Sequence, residues 1–236
     1  MTAAPDRRAE LATGLGAVQA RIGAARADAG RDPADLTLIV VTKFFPVSDV
    51  RLLADLGVTH VGENRDQEAS TKLTDPLLHG LPLTRHFLGQ LQTNKAAAVV
   101  AYADVVHTAD RLRLVRALGT AAGRTGRRPA VLVQVSLDGA PGRGGAPVDE
   151  VVGLADAVAD QPDLRLGGVM AVAPLGGDAD AAFARLQVVA DQVLAAHPSA
   201  GWVSAGMSGD LEAAIRHGAT HLRVGSAILG MRPALR

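Results

Sequence analysis

Leu36-Thr37-Leu38-Ile39-Val40-Val41-Thr42-Lys43 is the stretch on which the fold reading turns. Its apolar, β-branched run reads as a strand buried on both faces, the pattern of a parallel sheet covered by helices. The run ends on a lysine, so the strand delivers an amine at its C-terminal end. A desolvated amine condenses readily with an aldehyde, which makes Lys43 the candidate anchor for an aldehyde cofactor.

The flanking segments extend this unit. Leu11, Leu15, Val18 and Ile22 recur at spacings of four, three and four, which predicts an amphipathic helix ending near Ala29-Gly30 and covering one end of the domain. After Lys43, Pro46 and Ser48 introduce a second helix, with Ser48 as its expected N-cap, Val50, Leu53 and Leu56 on its inner face and Gly57 stopping it. Thr59-His60-Val61-Gly62 resumes an extended run. Further strands are expected at Arg85 to Leu88, Asp104 to His107, Ala130 to Ser136, Leu166 to Ala171, Gly201 to Ser204 and Thr220 to Val224. Helical periodicity separates them, as in Leu112, Val115 and Leu118 or Phe183, Leu186, Val189 and Val193.

Eight such βα units in about 200 residues predict a closed (β/α)8 TIM barrel, an α/β fold with one extra N-terminal helix. No composition break interrupts the alternation, so residues 1–236 read as one domain. A doubly wound open sheet is the alternative, but it seldom needs eight short strands. The low-complexity run Gly139 to Gly145 reads as a flexible loop after the fifth strand.

Composition narrows the function. The 236 residues are 48% hydrophobic and carry 24 basic against 24 acidic side chains, so no net field favours nucleic acid or an anionic membrane. The absence of cysteine excludes disulfides and thiolate chemistry. No apolar run approaches the ~20 residues needed to span a bilayer, and the N-terminus lacks an apolar signal core, so a soluble cytoplasmic protein is expected. Only three of the 24 basic residues are lysines: Lys43, Lys72 and Lys95. Lys72, in the polar run Ser70 to Thr74, reads as a solvated surface residue.

In a barrel, the segments after the strands converge on one face. Those segments include Lys43, Gly62-Glu63-Asn64-Arg65, Gly89-Gln90, His107-Thr108, Ser136, Met170, Ser204 to Ser208 and Arg223 to Ser226. Two of them suit an anion. In Ala205 to Asp210 the glycines allow close backbone approach and Ser208 stands where a helix begins; Gly225-Ser226 repeats the arrangement on the neighbouring strand. A Gly-Ser pair before a helix is by itself most often a cap, but two on consecutive strands form a candidate phosphate cup. Arg223, between Leu222 and Val224, reads as a buried cation that needs a carboxylate or a ligand acceptor. The seven histidines show no metal-ligand spacing, so no zinc site is expected, and His107 reads as a hydrogen-bonded wall residue.

Val41-Thr42-Lys43, Gly62-Glu63-Asn64-Arg65, His86-Phe87-Leu88-Gly89-Gln90-Leu91-Gln92-Thr93-Asn94-Lys95, Gly206-Met207-Ser208-Gly209-Asp210 and Arg223 to Gly230 together resemble the YggS/PROSC family of pyridoxal-phosphate homeostasis proteins. The resemblance runs in order from about residue 8 to residue 232. It implies the barrel of the alanine racemase N-terminal domain and pyridoxal 5'-phosphate (PLP) held through Lys43 as an internal aldimine. By the same resemblance Ser208, Gly225 and Ser226 receive the phosphate, Arg223 approaches the pyridine nitrogen and Asn64 lines the pocket beside the ring. An arginine at that nitrogen disfavours ring protonation and leaves a weaker electron sink.

Two positions depart from the family pattern. Arg143 stands where the loop after the fifth strand usually carries a lysine, and Ser136 where asparagine is common. A second PLP-accepting lysine is therefore not expected in that loop, and Lys95 remains as an accessory cation or a surface residue.

The related racemases pair a lysine with a tyrosine from an additional β-domain, whereas this sequence ends at Arg236 and its single tyrosine, Tyr102, falls on a helix away from the rim. The expectation is a non-catalytic, monomeric PLP-binding protein that stores the cofactor or delivers it to PLP-dependent apoenzymes. The alternatives are a small PLP-dependent amino-acid racemase, a Schiff-base aldolase and a protein with no cofactor.

Overall fold

In the computed structural model of the chain, residues 4–140 and 143–231 are described. Eight parallel strands close a barrel in sequence order: β1 (Thr37–Val41), β2 (His60–Glu63), β3 (Thr84–Phe87), β4 (Val105–Ala109), β5 (Ala130–Gln134), β6 (Arg165–Met170), β7 (Trp202–Ser204) and β8 (His221–Val224). Closure is made by β8 against β1, where Ile39 lies opposite Arg223 and Val40 opposite Val224. The β-branched run therefore does become the first strand, and the ring of helices buries its outer face.

Helix α1 (Ala4–Asp28) precedes the first strand, α2 (Val47–Asp55), α3 (Asp66–Leu73), α4 (Ala96–Tyr102), α5 (Leu112–Thr125), α6 (Val151–Ala159), α7 (Ala179–Ala196) and α8 (Leu211–Arg216) connect successive strands, and α9 (Ser226–Leu229) follows the last. Strand period two sends Val40, Val61, Val106, Val131 and Val169 outward into the shared core with Leu53, Leu114, Leu118 and Phe183 from the helices. Each such fully buried side chain contributes about 1.5–3 kcal/mol over its exposed state.

Three local expectations are corrected. Helix α2 starts at Val47 with Pro46 in the cap position and no side-chain cap bond, so Ser48 is inside the helix and is not its cap. Proline preset at the extended φ of −71° starts the helix without it. Helix α1 packs against α2, α8 and α9 in the outer ring; it does not cover an end. The last helix, α9, has one turn, and α1 supplies the wall that a longer eighth helix would make. Gly14 makes this approach possible, since a Cβ there would lie 2.6 Å from the Ile228 carbonyl oxygen.

The third correction concerns Lys72. It is 7% exposed and its Nζ donates to Glu63 Oε1 at 2.8 Å, to Glu68 Oε1 at 3.0 Å and to the Thr42 carbonyl at 2.9 Å. Period two explains this: Gly62 faces the barrel interior, so Glu63 faces outward beneath α3, and a buried carboxylate requires a cation. Burial pushes the Glu63 carboxyl above the usual range, and Lys72 opposes that rise.

Candidate functional site

Beyond Val41 the chain turns sharply, and the turn is tied from below. Thr42 donates its N–H to the Gly62 carbonyl at 2.9 Å and its hydroxyl to Glu63 Oε1 at 2.7 Å. Phe44, with φ of 71°, is the only non-glycine residue with positive φ among the described residues. Its N–H is held by Glu68 Oε1 at 2.6 Å. Lys43, half-buried between these fixed points, has its Nζ 6.0 Å from the centroid of the Phe44 ring.

Lys43 opens onto a cavity of about 470 Å³ at the C-terminal mouth of the barrel, whose wall also contains Asn64, Ser208, Arg223, Gly225 and Ser226. The six residues singled out in the sequence are thus brought to one cavity from the ends of β1, β2, β7 and β8. Val41, Phe44, Met170 and Val172 give it apolar walls. Its volume falls within the roughly 300–1,000 Å³ of small-ligand sites. No carboxylate is among the described residues that line it.

One end of the cavity is suited to an anion. The hydroxyls of Ser208 and Ser226 are 3.4 Å apart. Ser208 lies in the turn before α8, three residues ahead of Leu211, and not at the helix start as its sequence position suggested. That turn is braced by Asp210 Oδ1, which accepts the Met207 N–H at 2.6 Å, and by Gly206 at φ of +86°. Gly225 has no room for a side chain, since a Cβ would stand 2.9 Å from the Val41 carbonyl oxygen. In α9 the Ile228 and Leu229 N–H groups both bond the Gly225 carbonyl at 2.9 Å, so the donors at the helix start beside the hydroxyl pair are the N–H groups of Ser226 and Ala227.

Arg223 is 5% exposed on the inner face of β8. Its partners are neutral: Nη1 donates to Ser204 Oγ at 2.7 Å and Nη2 to the Ala171 carbonyl at 2.8 Å. Burial lowers its guanidinium to about 10, which leaves it charged at neutral pH. The expected wall residue His107 is fully buried and hydrogen-bonded to His86 and Ser204 inside the barrel, one layer below the cavity.

The long motif from His86 to Lys95 mostly serves a different place. Gln90, Leu91, Gln92 and Lys95 line a neighbouring cavity of about 860 Å³ with Arg65, Arg111 and the shared Asn64. Lys95 is half-exposed there, 3.7 Å from Asp66. Tyr102 is buried on α4 with its hydroxyl 3.5 Å from Asp66 Oδ1, and it does not line the Lys43 cavity. Arg143 donates to Asp138 and to the carbonyls of Val172 and Ala173, which fastens its loop to the end of β6. Residues 141–142 of that loop lie outside the described residues. Among the described residues no cluster could hold a metal ion, and no helix is long and apolar enough to cross a membrane.

The sequence does not single out Glu68, the bond from Arg223 to Ser204 or the His86–His107 pair. The first had a signal in the spacing Glu68 to Lys72, an i, i+4 pair that marks a helical ion pair. The others depend on which interior residues meet across the barrel, and spacing along the chain does not encode that.

Comparison with known proteins agrees with this geometry. The alanine racemase N-terminal domain family matches residues 15–233. The pyridoxal phosphate homeostasis protein of Mycobacterium bovis is 42% identical, over 98% of this chain and 96% of its own length. The protein of that name from Escherichia coli K12 is 36% identical, over 94% and 97%. PipY of Synechococcus elongatus, solved with PLP bound, superposes with a TM-score of 0.80 at 32% identity, covering 93% of this chain and all of that one. On this evidence the chain belongs to the alanine racemase N-terminal domain family and, within it, to the pyridoxal phosphate homeostasis proteins.

Proposed function

We propose that the chain binds PLP in the Lys43 cavity and serves in cofactor homeostasis, as a store or a donor to PLP-dependent apoenzymes, with no catalytic turnover of its own. The observation that carries this reading is the convergence of Lys43, Asn64, Arg223, Gly225 and the Ser208–Ser226 hydroxyl pair on one cavity. The PLP-bound relative of the same fold supports it.

When bound, PLP supplies an electrophilic aldehyde carbon and a chromophore. Each part of the cavity has a matching task. Lys43 Nζ bonds the aldehyde carbon as a Schiff base, with loss of one water. Ser208, Ser226 and the backbone of Gly225 hold the phosphate with hydroxyl and N–H donors. Arg223 presents a donor to the ring nitrogen, and Asn64 borders the ring. Val41, Met170 and Val172 exclude water from its faces.

Turnover of an amino acid by racemisation calls for a second base on the opposite face of the ring. Lys43 stands in the cavity, and the described lining includes no histidine, tyrosine or carboxylate facing it. The names of the relatives point the same way. The test is the visible absorption spectrum of the purified protein titrated with PLP, followed by chiral analysis of L-alanine incubated with the loaded protein. A visible band that Lys43→Ala removes, without D-alanine, is expected. Turnover that disappears in Lys43→Ala overturns the non-catalytic reading.

A further inference from the structure

TIM-barrel interiors are ordinarily filled by branched apolar side chains. Here one side of the interior is, with Val105, Leu132 and Met170 in contact, but the other carries a line of polar groups. Arg223 Nη1 donates to Ser204 Oγ at 2.7 Å; Ser204 Oγ lies 3.0 Å from His107 Nδ1; His107 Nε2 lies 2.8 Å from His86 Nδ1; and His86 Nε2 lies 2.9 Å from His60 Nδ1. Four hydrogen bonds thus run from β8 through β7, β4 and β3 to β2. Ser204 and His107 are wholly buried and His86 is 1% exposed, while His60 at the start of β2 is half-buried.

The direction of this line follows from its first member. A guanidinium has donors and no acceptor, so the Ser204 oxygen receives a hydrogen from Arg223. The Ser204 hydroxyl must then place its own hydrogen, and His107 Nδ1 is the acceptor within reach. His107 Nδ1 is therefore bare, and its neutral ring carries hydrogen at Nε2 and donates to His86 Nδ1. By the same step His86 donates from Nε2 to His60 Nδ1. Reversing the line would leave the buried Ser204 hydroxyl hydrogen without an acceptor, a cost the forward direction avoids. Burial favours the neutral rings this requires, lowering His86 and His107 well below the ordinary histidine range.

We propose that Ser204, His107 and His86 are positioning residues for Arg223: a one-way hydrogen-bond line that fixes the guanidinium on the cavity floor and makes the site specific for a ligand with an acceptor atom above it. The assignment of that atom to the ring nitrogen of PLP rests on the function proposed above. Two of the five guanidinium N–H groups are spent on Ser204 and the Ala171 carbonyl. These bonds hold the fork in one plane, and the remaining N–H groups are presented to a ligand. A ring whose nitrogen already carries a proton has no lone pair to receive them. Pocket specificity is thus set two to four residues away from the ligand, in groups that never touch it.

The line is read first in the apoprotein, which makes it independent of the cofactor assignment. In ¹⁵N-histidine-labelled protein at pH 7, His86 and His107 are expected as pure Nε2–H tautomers with hydrogen-bonded Nδ1. An Nδ1–H tautomer, a tautomer mixture or an imidazolium at either residue overturns the line. The second arm compares the affinity for PLP with that for its 1-deaza analogue, which lacks the ring nitrogen. Wild type and Ser204→Thr, which keeps the hydroxyl, should prefer PLP by roughly tenfold, the worth of one hydrogen bond. Ser204→Ala should lose most of that preference and shift the visible band of bound PLP. An unchanged preference and band in Ser204→Ala sink the positioning role even if PLP binds. If Ser204→Ala does not fold, His86→Gln is measured in its place with the same expected loss. Absence of PLP binding in wild type, with the tautomers as expected, overturns the cofactor assignment and leaves the line standing.

Discussion

Glu68 Oε1 holds the backbone N–H of Phe44 at 2.6 Å, and so fixes a residue in the left-handed region directly after Lys43. A side chain other than glycine in that region costs roughly 1–2 kcal/mol. It persists here because the carboxylate from α3 rewards the turn. Removing the acceptor in Glu68→Ala is expected to destabilise the protein by about 1–3 kcal/mol, measured by urea denaturation. Phe44→Gly in that background should recover part of the loss by relieving the backbone. No recovery would mean that the turn is held elsewhere.

The buried Lys72 and Glu63 form the support beneath that turn. Lys72→Met strands a carboxylate that is wholly buried, and a loss of about 3–5 kcal/mol is expected. The double variant Lys72→Met with Glu63→Gln removes both charges and should be milder than the single one. Equal losses would place Lys72 back on a solvated surface.

The Ser208–Ser226 pair predicts a graded effect on phosphate binding. Each hydroxyl donating to a phosphate oxygen is worth about 1.5–3 kcal/mol, so Ser208→Ala and Ser226→Ala should each weaken PLP binding by roughly 10- to 150-fold. Both side chains are at least partly exposed, so the melting temperature of the apoprotein should scarcely move. Pyridoxal without its phosphate should bind wild type and both variants alike. A PLP titration in which the variants match wild type would remove the cup.

Stability should fall on acidification. His60, His86, His107 and His221 are all lowered by burial, His221 to about 4. Below the unfolded value of about 6.5 the unfolded chain binds protons that the folded chain refuses. Stability is therefore fully present above that pH and is lost as the pH falls from there toward the lowered folded values, by about 1.4 kcal/mol per pH unit for each of the deeply buried His86 and His107 and by less for the half-buried His60. Glu63, raised by burial, acts in the opposite sense, but it is one group against four. Denaturation at pH 7.5, 6.5 and 5.5 should show a flat region and then a decline. A flat profile to pH 5.5 would mean that these rings are hydrated.

The barrel was legible because β-branched runs alternate with helical periodicity eight times and each half of the alternation leaves a local trace. Lys43, Ser208, Gly225 and Ser226 were legible because each ends a strand or opens a turn, where residue type and position go together. The environment of Lys72 was not, because its run looks polar and only the outward turn of Glu63 shows what the lysine must neutralise. Ser48 was misread as a cap, since Pro46 starts α2 by its fixed backbone angle and the serine falls one residue inside. The histidine line inside the barrel was illegible for a further reason: its members come from five strands, and only closure of the barrel makes them neighbours.

Lys43 is proposed to bond the cofactor, and the chain has two other lysines that could be labelled instead. The direct measurement is borohydride reduction of the PLP-loaded protein followed by peptide mass spectrometry. One reduced PLP adduct is expected, on the peptide containing Lys43, and none in Lys43→Ala. An adduct on Lys72 or Lys95, or a protein that binds PLP with no reducible bond, would contradict it.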